Sequence, residues 1–456
     1  MWTGGWIVIL TGSMDKKEKG NYYMYDSSIN SPKPRAIALL PILVFLVIFI
    51  GSGIITGDFY AMPAIVAFLI ALCVAFVQNR SLKFDDKIRV IARGVGDDNI
   101  ITMCLIFLLA GGFSGAVSAA GGVESTVNLG LSILPPSVAV VGLFVIGCFI
   151  SVSMGTSMGT IAALAPIAVG ISEKTGFSMA ICIGAVACGA MFGDNLSMIS
   201  DTTIAAVKTQ GCEMKDKFKE NFFIVLPAAI LTIIIFFVIT KDGGNVDTAQ
   251  LEYSVVRVIP YLLVLVGALI GINVFVVLIG GIIFSLIVGV ATDAIAPADM
   301  FTAVGGGVTG MYDITVISIV VACIVALMKE YGGIEFILKI FKRFIKGPRG
   351  AEVGIAGLAL AVDCCTANNT VAIVMAGPIA KEISTEYGVN PRRSASLLDI
   401  FASVGQGLIP YGAQLLSAAT LTGLTPFDII PYMYYPIFMA ISALFFIAFR
   451  KRTAVE

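Results

Sequence analysis

The stretch Gly193–Thr203, "GDNLSMISDTT", places two aspartates where the surrounding sequence predicts a membrane span. The fourteen residues before it, 178–191, carry no charged side chain and suit a helix in lipid. An aspartate at the centre of such a helix costs roughly 2.5–3.5 kcal/mol, so intramembrane carboxylates mark functional sites. The fold must therefore surround Asp194 and Asp201 with protein or with a water-filled cavity.

Composition predicts an all-α polytopic membrane protein. Of 456 residues, 58% are hydrophobic and only 13% are charged, and the mean hydropathy is +0.96. Apolar stretches such as 36–56 and 100–119 are long enough to cross a hydrocarbon layer of ~30 Å. There is no histidine, so a pH response falls to carboxylates. The nine cysteines show neither a disulfide framework nor a CxxC metal spacing, so no cofactor and no transition metal is expected.

An internal repeat organises the chain. Residues 161–211 align without gaps on residues 373–423 at a constant shift of 212, matching Pro166 with Pro378, Gly193 with Gly405 and Gly211 with Gly423. We therefore predict two halves, each with about five transmembrane helices plus a re-entrant hairpin, and with broken helices at the midplane. An odd number of crossings makes the second half inverted. The predicted spans are 36–56, 61–78, 99–119, 179–210 and 221–240, then 258–272, 274–290, 312–328, 394–423 and 428–449; the predicted hairpins are 137–172 and 350–384.

The basic residues agree with this layout. Of the 29 Lys and Arg residues, all but Lys174, Lys241 and Arg257 fall on the predicted inner side. The basic amphipathic stretch 333–347 is expected to lie on the cytoplasmic interface. The predicted organisation is a cytoplasmic segment 1–35, a membrane repeat 36–240, an outer linker 241–257, a second membrane repeat 258–449 and a cytoplasmic tail 450–456. We expect a multi-pass protein of the cell (inner) membrane with both termini inside.

The quoted stretch falls in the middle of the fifth predicted span, and its Gly, Ser and Thr residues predict a break in that helix. Transporters use such breaks to bind ions. A carboxylate that takes either a cation or a proton, but not both, exchanges the two. No Lys or Arg is predicted inside the hydrocarbon to neutralise Asp194 or Asp201, which favours an exchangeable counter-charge. The related break, 405–418, has Gln406 where the first has Asp194.

The two hairpin tips, "SVSMGTSMGT" and "DCCTANNT", are rich in hydroxyls and amides and should meet both breaks near the midplane. Asp363 joins the predicted ion-binding aspartates there, and Asp399 is a candidate proton relay. The predicted neutral ligands are Asn195, Ser200 and Thr202, and the predicted hairpin-tip or substrate residues are Thr156, Ser157, Asn368, Asn369 and Gln406. Each aspartate also has a structural alternative: Asp194 as a cap at a kink, Asp201 as an N-cap, Asp363 as an interfacial cap, and Asp399 as a solvated helix end.

The stretch "GDNLSMISDTT" resembles the signature of the NhaC-type sodium/proton antiporters, and "SMGTSMGTIAALAPIAV" and "GLIPYGAQ" resemble that family's hairpin and second break. The resemblance covers most of residues 36–449. It implies inverted repeats, exchange of cytoplasmic Na⁺ for external H⁺, and Asp194 and Asp201 as the ion-binding pair. Met198 and "IPYGAQ" depart from the family's usual residues, and both departures concern the substrate.

The sequence therefore favours a Na⁺/H⁺ antiporter. A Na⁺-coupled amino-acid or organic-acid transporter is the alternative, with Asn368, Asn369 and Gln406 available to a solute. An intramembrane aspartyl protease requires a GxGD element, whereas Met191 stands at its first glycine. A channel fits inverted halves with broken helices less well. We expect no enzyme and no nucleic-acid partner; the expected partners are Na⁺, H⁺, membrane lipid and a small solute in the alternative, and a homodimer is left open.

Overall fold

The computed structural model describes residues 32–56, 62–133, 135–198, 200–243, 251–270 and 272–449. These residues are helical and contain no β-strand. Residues 1–31 of the predicted N-terminal segment, 244–250 of the predicted outer linker and the predicted tail 450–456 lie outside the described part.

The first half contains ten helices in the described ranges. They are α1 (Leu40–Thr56), α2 (Ala64–Gln78), α3 (Phe84–Val95), α4 (Asp98–Ala119), α5 (Gly122–Ile133), α6 (Pro136–Met154), α7 (Ser157–Thr175), α8 (Met179–Leu196), α9 (Asp201–Gln210) and α10 (Met214–Thr240).

The second half follows the same order and ends in a bent pair. Its helices are α11 (Val255–Leu269), α12 (Val274–Ala291), α13 (Met300–Gly310), α14 (Tyr312–Glu330), α15 (Gly333–Phe344), α16 (Gly347–Thr366), α17 (Asn369–Glu386), α18 (Pro391–Leu408), α19 (Ala413–Thr422), α20 (Pro426–Ile429) and α21 (Tyr434–Phe449).

Helix bounds repeat at the shift that the sequence predicted. Both ends of α8 match those of α18 at the shift of 212, as do both ends of α9 and α19, and α5 matches α15 at a shift of 211. The paired C-cap glycines Gly211 and Gly423 share a left-handed backbone, with φ of +73° and +70°. The two halves thus share one local architecture. Their inverted orientation stays a prediction.

The number of long apolar helices identifies a multi-pass membrane protein. Within the described ranges, seven helical stretches are long and apolar enough to cross a membrane, and the bent pair Pro426–Tyr432 with Tyr434–Phe449 makes an eighth. Two predicted spans, α2 and α11, are apolar but shorter. Helices α3, which is charged and amphipathic, and α13, which leads directly into α14, lie outside the predicted spans and hairpins.

Both predicted helix breaks are present. Helix α8 ends at Leu196, and α9 starts at Asp201 after extended backbone at Ser197 and Ser200. Helix α18 ends at Leu408, and α19 starts at Ala413. In each hairpin the second helix packs against the second half-helix of the other repeat, α7 against α19 and α17 against α9. The tips and the breaks are thereby brought to one place.

Close packing holds each broken helix on its hairpin. Helix α6 packs along α8, and α16 packs along α18. At Gly193 a Cβ would stand 2.5 Å from the Cys148 carbonyl oxygen and 2.6 Å from the Val152 nitrogen, so only glycine allows this approach. The position of Asp194 is therefore fixed by backbone contact between α6 and α8.

Candidate functional site

A cavity of about 100 Å³ lies between the two hairpin tips and the two breaks. Its volume suits a few water-sized molecules or a partly hydrated ion. Of the twelve site residues predicted from the sequence, nine line it: Thr156, Ser157, Asp194, Ser200, Asp201, Thr202, Asn368, Asn369 and Gln406. Asn195, Asp363 and Asp399 do not.

Asp194 lies in the last turn of α8, and its exposed fraction is 7%. Ser157 Oγ donates to Asp194 Oδ2 over 2.8 Å, and Ser200 Oγ donates to Asp194 Oδ1 over 2.5 Å. No salt bridge to Asp194 is present in the described ranges of the chain. Hydrogen bonds from neutral hydroxyls leave the negative charge uncompensated, so the site favours a mobile cation or a proton. The alternative that Asp194 is a cap at a kink stays a prediction.

Each hydroxyl that bonds Asp194 is itself supported by a second polar group. Gln414 Nε2, from α19 of the other half, donates to Ser157 Oγ over 3.1 Å. Ser200 Oγ lies 2.9 Å from Thr202 Oγ1. Because the Ser200 hydrogen points to Asp194, Thr202 is the donor in that contact. Two short donor chains thus converge on one carboxylate, one from each half of the protein.

The hairpin tips are shaped by helix capping. Thr156 accepts from the Gly159 nitrogen over 3.4 Å, and Asn368 accepts from the Val371 nitrogen over 3.0 Å. Each of these side chains satisfies a donor at the start of the next helix, α7 or α17. Asn369 Oδ1 accepts from the Thr370 nitrogen over 3.0 Å. These oxygens line the cavity while already bonded to backbone.

Asp201 is exposed at the first turn of α9 and borders the cavity. The N-cap of α9 is Ser200, so the alternative that Asp201 is itself the N-cap is wrong. A carboxylate in the first helical turn interacts favourably with the helix dipole. Asp201 therefore adds negative charge at the cavity edge while staying hydrated.

Asn195 points away from the cavity into a buried polar cluster. Its Nδ2 donates to Ser403 Oγ over 2.8 Å, and its Oδ1 accepts from the Tyr435 hydroxyl over 3.1 Å. Its backbone carbonyl accepts from both Lys217 and Asn221. The polar groups of Asn195 are thus engaged in holding the end of α8.

Asp399 is the centre of that cluster. It is fully buried, so the alternative of a solvated helix end is wrong. Lys217 Nζ lies 2.6 Å from Asp399 Oδ2, with exposed side-chain fractions of 1% and 0%. No Lys or Arg was predicted inside the hydrocarbon, so the burial of Lys217 corrects that layout, while among the described residues no salt bridge reaches Asp194. Lys217 was assigned to a cytoplasmic loop because α10 was predicted to start at residue 221 rather than at Met214.

Gln414 is a site residue that the sequence analysis missed. It is the repeat counterpart of Thr202, a predicted ligand, and it is the last residue of the quoted stretch "GLIPYGAQ". This position beside the second break could have identified it as a site residue. The side-chain oxygens Gln406 Oε1 and Gln414 Oε1 are buried and lack hydrogen-bond partners among the residues described. Both residues line the cavity. Amide oxygens without donors are ready ligands for a hard cation.

A larger cavity of about 350 Å³ approaches the site from one side. Arg93, Lys329 and Glu330 line its outer part, and Asn368 and Ala413 line both it and the smaller cavity. Glu335, on the predicted interfacial helix α15, also lines it, and burial raises the pKa of that carboxyl. The arrangement connects a charged surface to the hairpin tip.

Comparisons with known proteins identify relatives of this chain. A family model described as the Na⁺/H⁺ antiporter family matches residues 9–241 and 242–450, and the boundary between the two matches falls in the predicted outer linker. The Na⁺/H⁺ antiporter NhaC of Alkalihalophilus pseudofirmus is 24% identical over 346 residues, which cover 69% of this chain and 75% of that protein. A malate-2H⁺/Na⁺-lactate antiporter of Bacillus subtilis is 22% identical over 432 residues, which cover 88% of this chain and 92% of that protein.

Among solved structures, the YdaH transporter of Alcanivorax borkumensis aligns with 91% of this chain and 98% of its own, at 13% identity and a TM-score of 0.44. The NhaC relative confirms the resemblance drawn from "GDNLSMISDTT". Because the family model matches nearly the whole chain, the protein belongs to the Na⁺/H⁺ antiporter family.

Proposed function

We propose that the protein exchanges cytoplasmic Na⁺ for external H⁺ and that Asp194 carries the two ions alternately. One observation carries the proposal: a buried carboxylate faces a cavity lined by both hairpin tips and both breaks, and its side-chain partners are the neutral hydroxyls of Ser157 and Ser200. Such a group needs one positive charge, and either ion supplies it.

The cavity supplies oxygen ligands for Na⁺. The carboxylate of Asp194 provides the charge, the hydroxyls of Ser157, Ser200 and Thr202 can turn their lone pairs to the ion, and the side-chain oxygens of Gln406 and Gln414 have no competing donor in the described chain. A proton on Asp194 removes the charge that holds Na⁺. The carboxylic acid then reforms hydrogen bonds with the same hydroxyls, and Na⁺ leaves.

Access in this conformation is proposed to be from the cytoplasm. The 350 Å³ cavity opens among Arg93, Lys329 and Glu330, which belong to the side predicted inside from the distribution of basic residues. On this assignment the protein lies in the cell membrane with both termini cytoplasmic. An inward proton gradient of one pH unit supplies about 1.4 kcal/mol per proton, which supports a roughly tenfold Na⁺ gradient at one-to-one exchange. We propose an exchanger that needs no cofactor and has no enzymatic activity.

The test is Na⁺-driven proton flux in proteoliposomes carrying the wild type, Asp194→Asn or Asp293→Asn. Asp293 is exposed and has φ of +54°, a conformation that asparagine accepts, so its variant is a matched control. We expect Asp194→Asn to abolish flux and Asp293→Asn to retain it. Full Na⁺-driven proton flux in Asp194→Asn would contradict the assignment.

A second candidate is Na⁺-coupled exchange of a small organic acid. The larger cavity favours it, because about 350 Å³ is within the range of small-molecule sites and the amide of Asn368 lies at its inner end. The relative from Bacillus subtilis is named for malate and lactate. Sodium-dependent uptake of labelled organic acid by the same proteoliposomes, abolished by Asn368→Ala, would favour this candidate over simple ion exchange.

A further inference from the structure

Asp363 is a buried carboxylate outside the Asp194 site. It lies in the last turn of α16 with an exposed fraction of 0%, and neither of its side-chain oxygens has a hydrogen-bond partner among the residues that the structure describes. Helix α18 passes directly beside it, since a Cβ at Gly405 would stand 2.6 Å from Asp363 Oδ2 and 3.1 Å from a methyl of Leu360. An ionised carboxylate in such surroundings has nothing to replace its lost hydration.

The shared architecture of the two halves does not require an acid at this place. The repeat counterpart of Asp363 is Ser151, in the corresponding turn of α6. Ser151 Oγ donates to the Ala190 carbonyl over 2.5 Å and is satisfied. Asp363 occupies the same location with an ionisable group and with no such bond. Its presence therefore calls for a reason other than packing.

Charged groups on the neighbouring helices are engaged elsewhere or lie in other turns. On α18, Asp399 bonds Lys217, and Arg393 bonds Glu220 and Glu352. The titratable groups nearest along the chain are Cys364 and Cys365, and Tyr411 donates its hydroxyl hydrogen to the Cys364 carbonyl over 2.5 Å. Helix α21 carries Tyr434 and Tyr435 and no charge. The helices packed around Asp363 carry further charged residues whose side chains are described. They are Arg349 on α16, Asp313, Lys329 and Glu330 on α14, Glu335 and Lys339 on α15, Arg392 on α18, and Lys381, Glu382 and Glu386 on α17.

A proton fits this place better than a metal cation. Hard cations collect about six or more oxygen ligands, whereas Gly405 of α18 lies beside Asp363 Oδ2 without a side chain and neither Asp363 oxygen has a hydrogen-bond partner among the described residues. A single proton neutralises the carboxylate without further ligands. In the described conformation Asp363 is therefore a neutral carboxylic acid.

The group also lies within one turn of an aqueous route. Thr366 and Ala367 follow Asp363 at the hairpin tip and line the 350 Å³ cavity. Ala367 has φ of +50°, a left-handed conformation that costs energy for any residue with a Cβ, while its counterpart Gly155 adopts φ of +69° freely. Backbone strain of this kind clusters at ligand clamps and switch regions. Rearrangement of this tip would bring Asp363 into contact with water.

We infer that Asp363 is a second proton-carrying site, separate from Asp194, which releases and regains its proton during the transport cycle. The inference rests on the proposed Na⁺/H⁺ exchange and specifies how many protons are exchanged for each Na⁺. Asp194 exchanges one proton for one Na⁺, Asp363 adds a second proton, and Asp201 stays hydrated at the cavity edge. The exchange then moves two protons per Na⁺ and one net charge across the membrane.

The test is the pH difference that stops Na⁺ flux in proteoliposomes with a tenfold Na⁺ gradient and the voltage clamped to zero. The flux stops at about 0.5 pH unit for two protons per Na⁺ and at about 1 pH unit for one. We expect the flux to stop at a pH difference of about 0.5 unit for the wild type and for Asp293→Asn, and at about 1 unit for Asp363→Asn. Without the clamp, wild-type flux should respond to an imposed voltage and Asp363→Asn flux should not.

A wild-type stopping point near 1 pH unit, or an unchanged stopping point in an active Asp363→Asn, overturns the inference and leaves the proposed exchange intact. A wild type without any Na⁺-driven proton flux overturns the proposed function itself. Asp363→Ser is the second variant, because serine is the residue that the first half carries at this position, and it should also shift the stopping point to about 1. If neither variant folds, a wild-type stopping point near 1 pH unit still overturns the inference.

Discussion

The buried pair Lys217–Asp399 gives the sharpest test of the structure. In Lys217→Met, Asp399 Oδ2 loses its cation at 2.6 Å and keeps only neutral donors, Asn221 Nδ2 at 2.9 Å and Asn195 Nδ2 at 3.4 Å. Breaking a buried pair by removing one partner costs about 3–5 kcal/mol.

Removing both charges should cost less than removing one. In Lys217→Met/Asp399→Asn no charge is left buried, and Asn221 still donates to the Asn195 carbonyl over 2.9 Å. The main loss is the hydrogen bond from Lys217 to Thr203 Oγ1, at 2.7 Å, so we expect a cost of about 1–2 kcal/mol. The double variant should therefore be more stable than Lys217→Met by about 2–3 kcal/mol.

The assay is the free energy of unfolding in detergent micelles, measured by denaturant titration. Lys219→Met, an exposed lysine on the same helix, should change stability by less than about 0.5 kcal/mol. A double variant as unstable as the single one would refute the reasoning.

Three further predictions concern the site and its packing. Ser200→Ala removes the donor to Asp194 Oδ1 and should weaken Na⁺ affinity about tenfold, measured as the Na⁺ concentration for half-maximal proton flux. Gly193→Ala should destabilise the protein by about 1–3 kcal/mol in the same unfolding assay, because its Cβ would stand 2.5 Å from the Cys148 carbonyl, whereas Gly142→Ala, with nothing within 4 Å, should not. Ala367→Gly should stabilise by up to about 1 kcal/mol by relieving the left-handed strain, and unchanged stability would argue against strain at the tip.

Local signals made the helix breaks and hairpin tips predictable. Gly193 and Ser200 interrupt an apolar run in the first half, and their repeat counterparts Gly405 and Gly412 do so in the second. Helix ends of this kind depend on residues near in sequence, and the structure places α8, α9, α18 and α19 within a few residues of the predicted spans. The contact between the hairpin tips and the helix breaks could also be predicted, because each half of the repeat contributes one tip and one break.

Side-chain direction and distant partners were not predictable in the same way. Asp194 and Asn195 are neighbours, but successive helical residues point about 100° apart, so one faces the cavity and the other faces α18 and α21. The burial of Lys217 depends on Asp399, 182 residues away, and no local pattern distinguishes it from an exposed loop lysine. Hydropathy therefore placed the start of α10 seven residues too late.

The asymmetry between the halves accounts for the charge of the central cavity. Had the repeats been identical, Gln406 would be an aspartate facing Asp194 across a cavity of about 100 Å³, and two carboxylates so placed resist joint ionisation. Amides at Gln406 and Gln414 keep oxygen ligands on that side without adding charge. The buried part of the cavity then carries one negative charge, which one Na⁺ or one proton balances, whereas a divalent cation would leave an excess positive charge in a poorly hydrated space. The buried acid Asp363, whose repeat counterpart is Ser151, lies away from the cavity, where its protonation does not compete directly with the ion on Asp194.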